Sequence, residues 1–371
     1  MPPVITNRKA RIMHPTHLKL LKTFHPSRII IAMLIGVAVV LLIFMRDFKP
    51  GTFDTLNFSF FSFLFIFLAL LCMAARDIGY MIRIRVLSDN QLSWWQSFRI
   101  VMLWEFTSAI TPSAIGGTSI AILFVTKEGI SVGRSTSIVL ATSFLDEMYF
   151  ILLFPLLLIF VLPSDLFSTP NTTGNGINWT NEFFWFAIIG YSLKLAYVIL
   201  VIYGMFFKPR AFKWLLLKVF KLPFLRRWRV GAAKAGDDMI TSSLELKRKP
   251  FTFWIKSFMA TFMSWTSRYL VINMLFLAFF VVNDHFLLYA RQLVMWIMML
   301  VSPTPGGSGF AEYIFSRYLA EFMPSSAVSI GALAVALAFL WRLITYYPYL
   351  IIGGFIIPGW IRSKFMHEKN N

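Results

Sequence analysis

The sequence predicts an all-α fold, a polytopic integral membrane protein with two re-entrant broken-helix hairpins in an inverted repeat. Three observations lead there. Hydrophobic residues make up 58% of the 371-residue chain and charged residues only 14%, against about a quarter charged in an ordinary globular domain. The apolar residues gather in runs of the length a bilayer needs, about 20 residues each. Two of those runs are interrupted by matching Thr-Pro and Gly-Gly signals. Lipid offers backbone amides no hydrogen-bond partner, so spans must be helical except where protein or a cavity covers them.

Residues 1–27 form a basic leader carrying Arg8, Lys9, Arg11, Lys19 and Lys22. The apolar run at 28–45 lacks a small-residue cleavage site and reads as a first span, not a secretory signal. Residues 56–75, rich in Phe and Leu, form the second span. The zone 98–125 is apolar but broken at Thr111-Pro112 and Gly116-Gly117. Residues 135–162 and 183–207 are further spans. The loop 208–250 follows, with twelve Lys/Arg against three acids. Residues 253–282 form the next span. The zone 286–322 is broken at Pro303-Thr304-Pro305-Gly306-Gly307, and the last apolar stretch, 328–361, carries Arg342 and Pro348, where it can split. The transmembrane domain is thus 28–361, with a tail at 362–371.

Loop Lys and Arg residues set the orientation. The leader, the segment with Arg76, Arg83, Arg85 and Arg99, the 208–250 loop and the tail are expected inside. The 163–181 loop has no Lys or Arg and is expected outside. Both termini of a cell (plasma or inner) membrane protein would then be cytoplasmic. Between Arg99 and Pro163 the number of crossings must be odd, and span 135–162 supplies one. The halves of the broken zone, about 13 and 10 residues, are too short to cross twice. That zone should dip in and return, and the second zone should do the same from the outer side. The strings Thr111-Pro112-Ser113-Ala114-Ile115-Gly116-Gly117-Thr118-Ser119 and Pro303-Thr304-Pro305-Gly306-Gly307-Ser308 share Thr-Pro, Gly-Gly and then a hydroxyl. Inverted repeats with interrupted helices near the midplane are a common transporter design.

The two tips supply the first candidate binding residues: Thr111, Pro112, Gly116, Gly117 and Thr118, then Pro305, Gly306, Gly307 and Ser308. A helix restarting after each Gly-Gly, capped by Thr118 or Ser119 and by Ser308, would point free N–H groups at the midplane and suit a phosphate. The bland alternative is that the caps only satisfy their own helix ends. Charges inside apolar zones come second: Glu105, Asp146, Glu147, Arg268, Glu312, Arg317 and Arg342. Each costs about 3 kcal/mol or more at the bilayer centre unless paired or wetted. Arg268 and Arg342 are candidate phosphate partners, because a guanidinium makes forked contacts; Asp146 and Glu312 would be countercharges or proton carriers. Against this stands a purely structural carboxylate–arginine pairing. Asp146 and Glu147 are neighbours, about 100° apart on a helix, and cannot share one task.

The net charge of +18 sits largely in the leader and the 208–250 loop. Arg210, Lys213, Lys218 and Lys221, with Trp214 and Leu215, read as an amphipathic helix on anionic lipid, extended by Arg226, Arg227 and Arg229. Nucleic acid is the poorer partner. Cys72 is the one cysteine, so an intrachain disulfide is excluded and a small buried hydrophobe is expected. Trp94, Trp95, Trp185, Trp254 and Trp360 lie at span ends as interfacial anchors. Asn171 and Asn178 open sequons in the expected outer loop, and His14, His17 and His25 in the leader are a weak metal signal. No P-loop, dinucleotide fingerprint, zinc spacing or nucleophile triad is present, so no cofactor, metal or catalytic residue is assigned.

The stretch from Thr111-Pro112 through Gly116-Gly117 to Phe144-Leu145-Asp146-Glu147, and the later Pro305-Gly306-Gly307-Ser308-Gly309-Phe310-Ala311-Glu312, resemble the lysylphosphatidylglycerol synthase transmembrane family, or flippase-like domain. The resemblance covers most of the chain. Many members carry Gly-Glu and then Arg after the first motif; here Gly117-Thr118-Ser119-Ile120 stands instead. The larger members add a soluble aminoacyltransferase domain, and the membrane domain is thought to flip its product. The resemblance implies the flippase-like part alone, without synthase activity. The resulting expectation is a transporter of an anionic phospholipid or polyprenyl-phosphate-linked lipid, of unassigned oligomeric state. The alternatives are a membrane enzyme or accessory subunit acting on lipid-linked sugars or aminoacyl lipids, and a non-transporting scaffold.

Overall fold

The computed structural model describes residues 45, 56, 58–110, 114–168, 182–221, 229–301, 309–324, 329–361 and 363–364. The expected span at 28–45 (save Met45), Thr111, Pro112, Pro305 to Ser308, Arg226 and Arg227 lie outside them. Twelve helices are labelled in chain order: α1 (Phe60–Leu87), α2 (Trp94–Ile110), α3 (Ala114–Lys127), α4 (Val132–Phe160), α5 (Glu182–Ile202), α6 (Pro209–Val219), α7 (Arg229–Leu246), α8 (Phe251–Phe279), α9 (His285–Met298), α10 (Phe310–Tyr318), α11 (Ile330–Thr345) and α12 (Tyr347–Ile361). No strand occurs among the described residues. By length and composition, α1, α4, α5, α8 and the α11–α12 stretch are long and apolar enough to cross a membrane.

Local chemistry sets the helix limits. Ser59 and Ser62 exchange side chain–backbone hydrogen bonds at the start of α1, and Asp284 and Ser329 cap α9 and α11 through the N–H groups of Leu287 and Ala332. After α1 the chain turns through Asp89 and Asn90, both at positive φ, which these residue types tolerate. The last stretch breaks at Tyr346. Pro348 has no N–H for the carbonyl four residues back, and its ring would clash with it, so α12 begins afresh with Pro348 in its first turn.

One expectation needs correction. The second span was placed at 56–75, but α1 runs twelve residues further, to Leu87. Arg76 and Arg83, read as loop charges, are wholly buried in it.

The long helices α1 and α8 pair antiparallel. Phe58 meets the Phe279 ring at one end. Past the middle, Gly79 sits so close to Ala260 and Ser264 that a Cβ would lie 2.9 Å from the Ala260 carbonyl, and further on Arg83 reaches Thr261. Around this pair the packing is reciprocal. The first-half contacts α1–α2, α2–α3 and α3–α4 recur as α8–α9, α9–α10 and α10–α11; α2 packs on α12 as α9 packs on α4. One end of the bundle is basic. There Asp89, after α1, bonds Arg134 at the start of α4 and Lys249 before α8. At 29 residues, α4 is about 43 Å long and joins this end to the opposite one. Helices α6 and α7 pack together beside the start of α4, where Gly133 touches Thr241.

Candidate functional site

Charge concentrates in the middle of the bundle on one stripe of α1. Arg76, Tyr80 and Arg83 are spaced i, i+4 and i+7, so they share a face. The two guanidinium carbons lie 4.3 and 4.4 Å from the Tyr80 ring centre. Arg76 donates to Glu105 of α2, to Asp77 at 2.7 Å and to the Tyr349 hydroxyl of α12 at 3.1 Å. Tyr349 in turn donates to Asp77 at 2.9 Å. Arg83 grips Asp146 of α4 with both terminal nitrogens, at 2.5 and 3.3 Å, and donates to Thr261. The Trp265 indole donates to the same Asp146 oxygen at 2.7 Å. Charged hydrogen bonds of this kind offset the desolvation that buried ions incur.

Arg268 completes the cluster from near the midpoint of α8. Its electrostatic neighbours are Arg76, Glu105, Tyr80 and Tyr349. Its guanidinium carbon stands 4.2 Å from the Trp296 ring centre and 5.7 Å from that of Trp265. Three arginines thus face three carboxylates, but Arg76 and Arg83 engage all three acids. Among the described residues Arg268 has no hydrogen bond or ion pair, and its Nε is buried without a partner. The residue is nonetheless partly exposed.

The other candidates are distributed elsewhere. Glu147 points away from Asp146 and accepts from Lys194 of α5 at 2.6 Å. Glu312 and Arg342 form a separate buried pair: Arg342 Nε donates to Glu312 Oε1 at 2.8 Å, so Arg342 is already engaged and does not join Arg268. Glu312 Oε2 accepts from the Gly309 N–H at 2.7 Å. The start of α10, expected to hold out free N–H groups to a phosphate, therefore carries a carboxylate of its own. Gly309, at φ +83°, precedes α10. At the other broken zone α3 begins at Ala114, so Gly116, Gly117 and Thr118 lie inside the helix rather than before it. The expected restart after Gly-Gly is corrected there. Arg317 is exposed.

On the basic flank Lys213 bonds Asp237 at 2.5 Å, Lys218 lies over the exposed Trp214 ring, and Lys218, Lys221 and Arg229 are exposed. Trp94, Trp95 and Trp185 are exposed as interfacial anchors would be. Trp360 is buried instead and donates to Glu128.

Sequence reasoning missed Arg76, Arg83, Lys194 and Arg291. The Arg-Tyr-Arg spacing of the first two was the legible signal, since loop arginines have no reason to keep a helical stripe.

The profile described as the lysylphosphatidylglycerol synthase TM region matches residues 29–353 of this chain. A UPF0104 membrane protein of Archaeoglobus fulgidus is 27% identical over 355 residues, covering 91% of this chain and 99% of that protein. No solved structure matches.

Proposed function

The chain is a membrane protein of the lysylphosphatidylglycerol synthase TM region family, and from that premise we propose that it moves an anionic phospholipid or polyprenyl-phosphate headgroup across the bilayer. Arg268 meets the negative charge. One observation carries the reading: among the described residues, a guanidinium near the middle of a span, with both exposed and buried faces, makes no hydrogen bond or ion pair to a carboxylate, whereas its neighbours Arg76 and Arg83 do. A charge at that depth without a directly paired counter-ion costs about 3 kcal/mol or more. A passing phosphate offsets it, in the forked geometry that a guanidinium favours. Trp296 and Trp265 hold the side chain in place through their ring faces. Arg76 and Arg83, neutralised by their own carboxylates, keep the path polar without trapping the ligand.

The proposal includes two re-entrant hairpins, α2–α3 and α9–α10, within inverted repeats, the basic end being cytoplasmic. The reciprocal packing around the antiparallel α1–α8 pair supports this. So does the return of each hairpin to its starting end: Arg99 in α2 reaches Glu128 just past α3, and Arg291 in α9 reaches Glu321 just past α10. Anionic lipid at the inner surface is gathered by Lys218, Lys221 and Arg229.

Photolabelling with a phospholipid bearing a diazirine in its phosphate headgroup tests the site. Label is expected on the α8 and α9 peptides that hold Arg268 and Trp296, and is lost in Arg268→Gln. Label confined to the α6–α7 surface, unchanged in that variant, overturns the proposal.

A further inference from the structure

Two ionic knots, each built around one buried charge, stand at opposite ends of the bundle and are built alike. At the basic end, Arg99 near the start of α2 donates to Glu128, one residue past α3, at 2.9 Å. At the other end, Arg291, midway along α9, donates to Glu321, three residues past α10, at 2.7 Å. The two pairs are 29 and 30 residues apart in sequence.

Each knot also takes in the end of the other half's last span. Glu128 accepts from the Trp360 indole at 3.0 Å and pairs with Lys364 at 3.1 Å, both at the end of α12. Arg291 donates to the Asp165 carbonyl at 2.6 Å, and Ser168 donates to Glu321 at 2.7 Å, both just past α4. Each knot has one hub fully closed to solvent, the Glu128 carboxylate and the Arg291 guanidinium.

We infer that these knots are the two gates of the path to Arg268, the Glu128 knot closing the basic end and the Arg291 knot the opposite end. The inference rests on the transport reading above. Each knot clamps the base of one hairpin to the span end contributed by the other half, so its release frees one end and leaves the other shut. Both are closed in this structure. The partners are shared backbone carbonyls, indole and ion pairs rather than one salt bridge. A knot of that kind has two discrete states, made or broken, as a gate requires.

Side-specific labelling tests this without needing transport. Cys72→Ser removes the native thiol, and Ser267→Cys places a reporter beside Arg268. A membrane-impermeant maleimide is applied from either side of sealed vesicles. Arg291→Gln is expected to raise labelling several-fold from the side opposite the basic end only, and Arg99→Gln from the basic side only. The conservative Arg291→Lys separates gating from misfolding, because it keeps a cationic donor for Glu321 and the carbonyls and should return labelling toward the starting level. Unchanged labelling in both variants, or labelling that rises from both sides at once, overturns the gates and leaves the knots as helix glue. Failed lipid movement with side-specific labelling intact would instead count against the transport reading alone.

Discussion

The Glu312–Arg342 pair allows a stability prediction with few free terms. Its side chains are 2% and 4% exposed, so water cannot replace a lost partner. Removing one member of such a pair costs about 3–5 kcal/mol, because a charge stays behind in a low-dielectric site. Glu312→Gln is the informative change: the amide carbonyl still accepts from the Gly309 N–H, so the helix start keeps its cap and only the charge is lost. A cost of about 3 kcal/mol is expected, and Glu312→Ala should add about 1 kcal/mol for the cap. Arg342→Met keeps the apolar stem that lies along Trp341 and Tyr346, yet strands the carboxylate. The double variant Glu312→Gln/Arg342→Met removes both charges and should cost less than either single change, a coupling of about 2 kcal/mol or more. Denaturant unfolding in mild detergent, followed by circular dichroism, measures the cycle. Strictly additive effects, or single costs under about 0.5 kcal/mol, would refute the reasoning.

Glu147 and Lys194 should behave in the same manner across α4 and α5, with Glu147→Gln costing about 3 kcal/mol and Lys194→Met recovering part of it in the same unfolding assay. Gly190 admits no side chain, since a Cβ would lie 2.4 Å from the Ile297 carbonyl oxygen; Gly190→Ala should lower stability by about 1–3 kcal/mol through overpacking of α5 on α9. Asp89 should give the basic end an acid-sensitive contact. Burial pushes its carboxyl up, but hydrogen bonds from Lys249 and Arg134 outweigh that and hold it below the usual carboxylate range. Because the folded value is the lower one, the contribution is complete above the unfolded value near 3.9 and fades as pH falls through the folded value. Melting temperatures from pH 6 to pH 3 should fall more steeply for the wild type than for Asp89→Asn, and parallel curves would contradict this.

Much of the architecture could be read from apolar run length. Spans expected at 135–162 and 253–282 correspond to Val132–Phe160 and Phe251–Phe279, because uncharged runs of that size have few other uses. Reading failed where charge is buried and paired. The second span was cut at Ala75 because Arg76 and Arg83 looked solvated, whereas their carboxylates arrive from α2 and α4, 29 and 63 residues away. Arg291 was invisible for the same reason, its partners being backbone carbonyls and Glu321 near the far end of another helix. Of the proposed phosphate contacts, Arg268 stands out by lacking, among the described residues, the paired carboxylate that Arg342 has, a distinction that no sequence pattern carries. Gly116 and Gly117 signalled a broken helix but misplaced its start, since glycine permits a break without requiring one.

Headgroup translocation in proteoliposomes tests the central claim most directly, comparing a fluorescent anionic phospholipid, a polyprenyl phosphate and a zwitterionic control. Wild-type protein should move an anionic lipid and not the zwitterionic one. Arg268→Gln should stop that movement while changing stability by no more than about 2 kcal/mol, since ring contacts are lost but no direct ion pair among the described residues. Anionic lipid movement that persists at the wild-type rate in a folded Arg268→Gln variant, or no movement of any lipid by wild-type protein, would contradict the account.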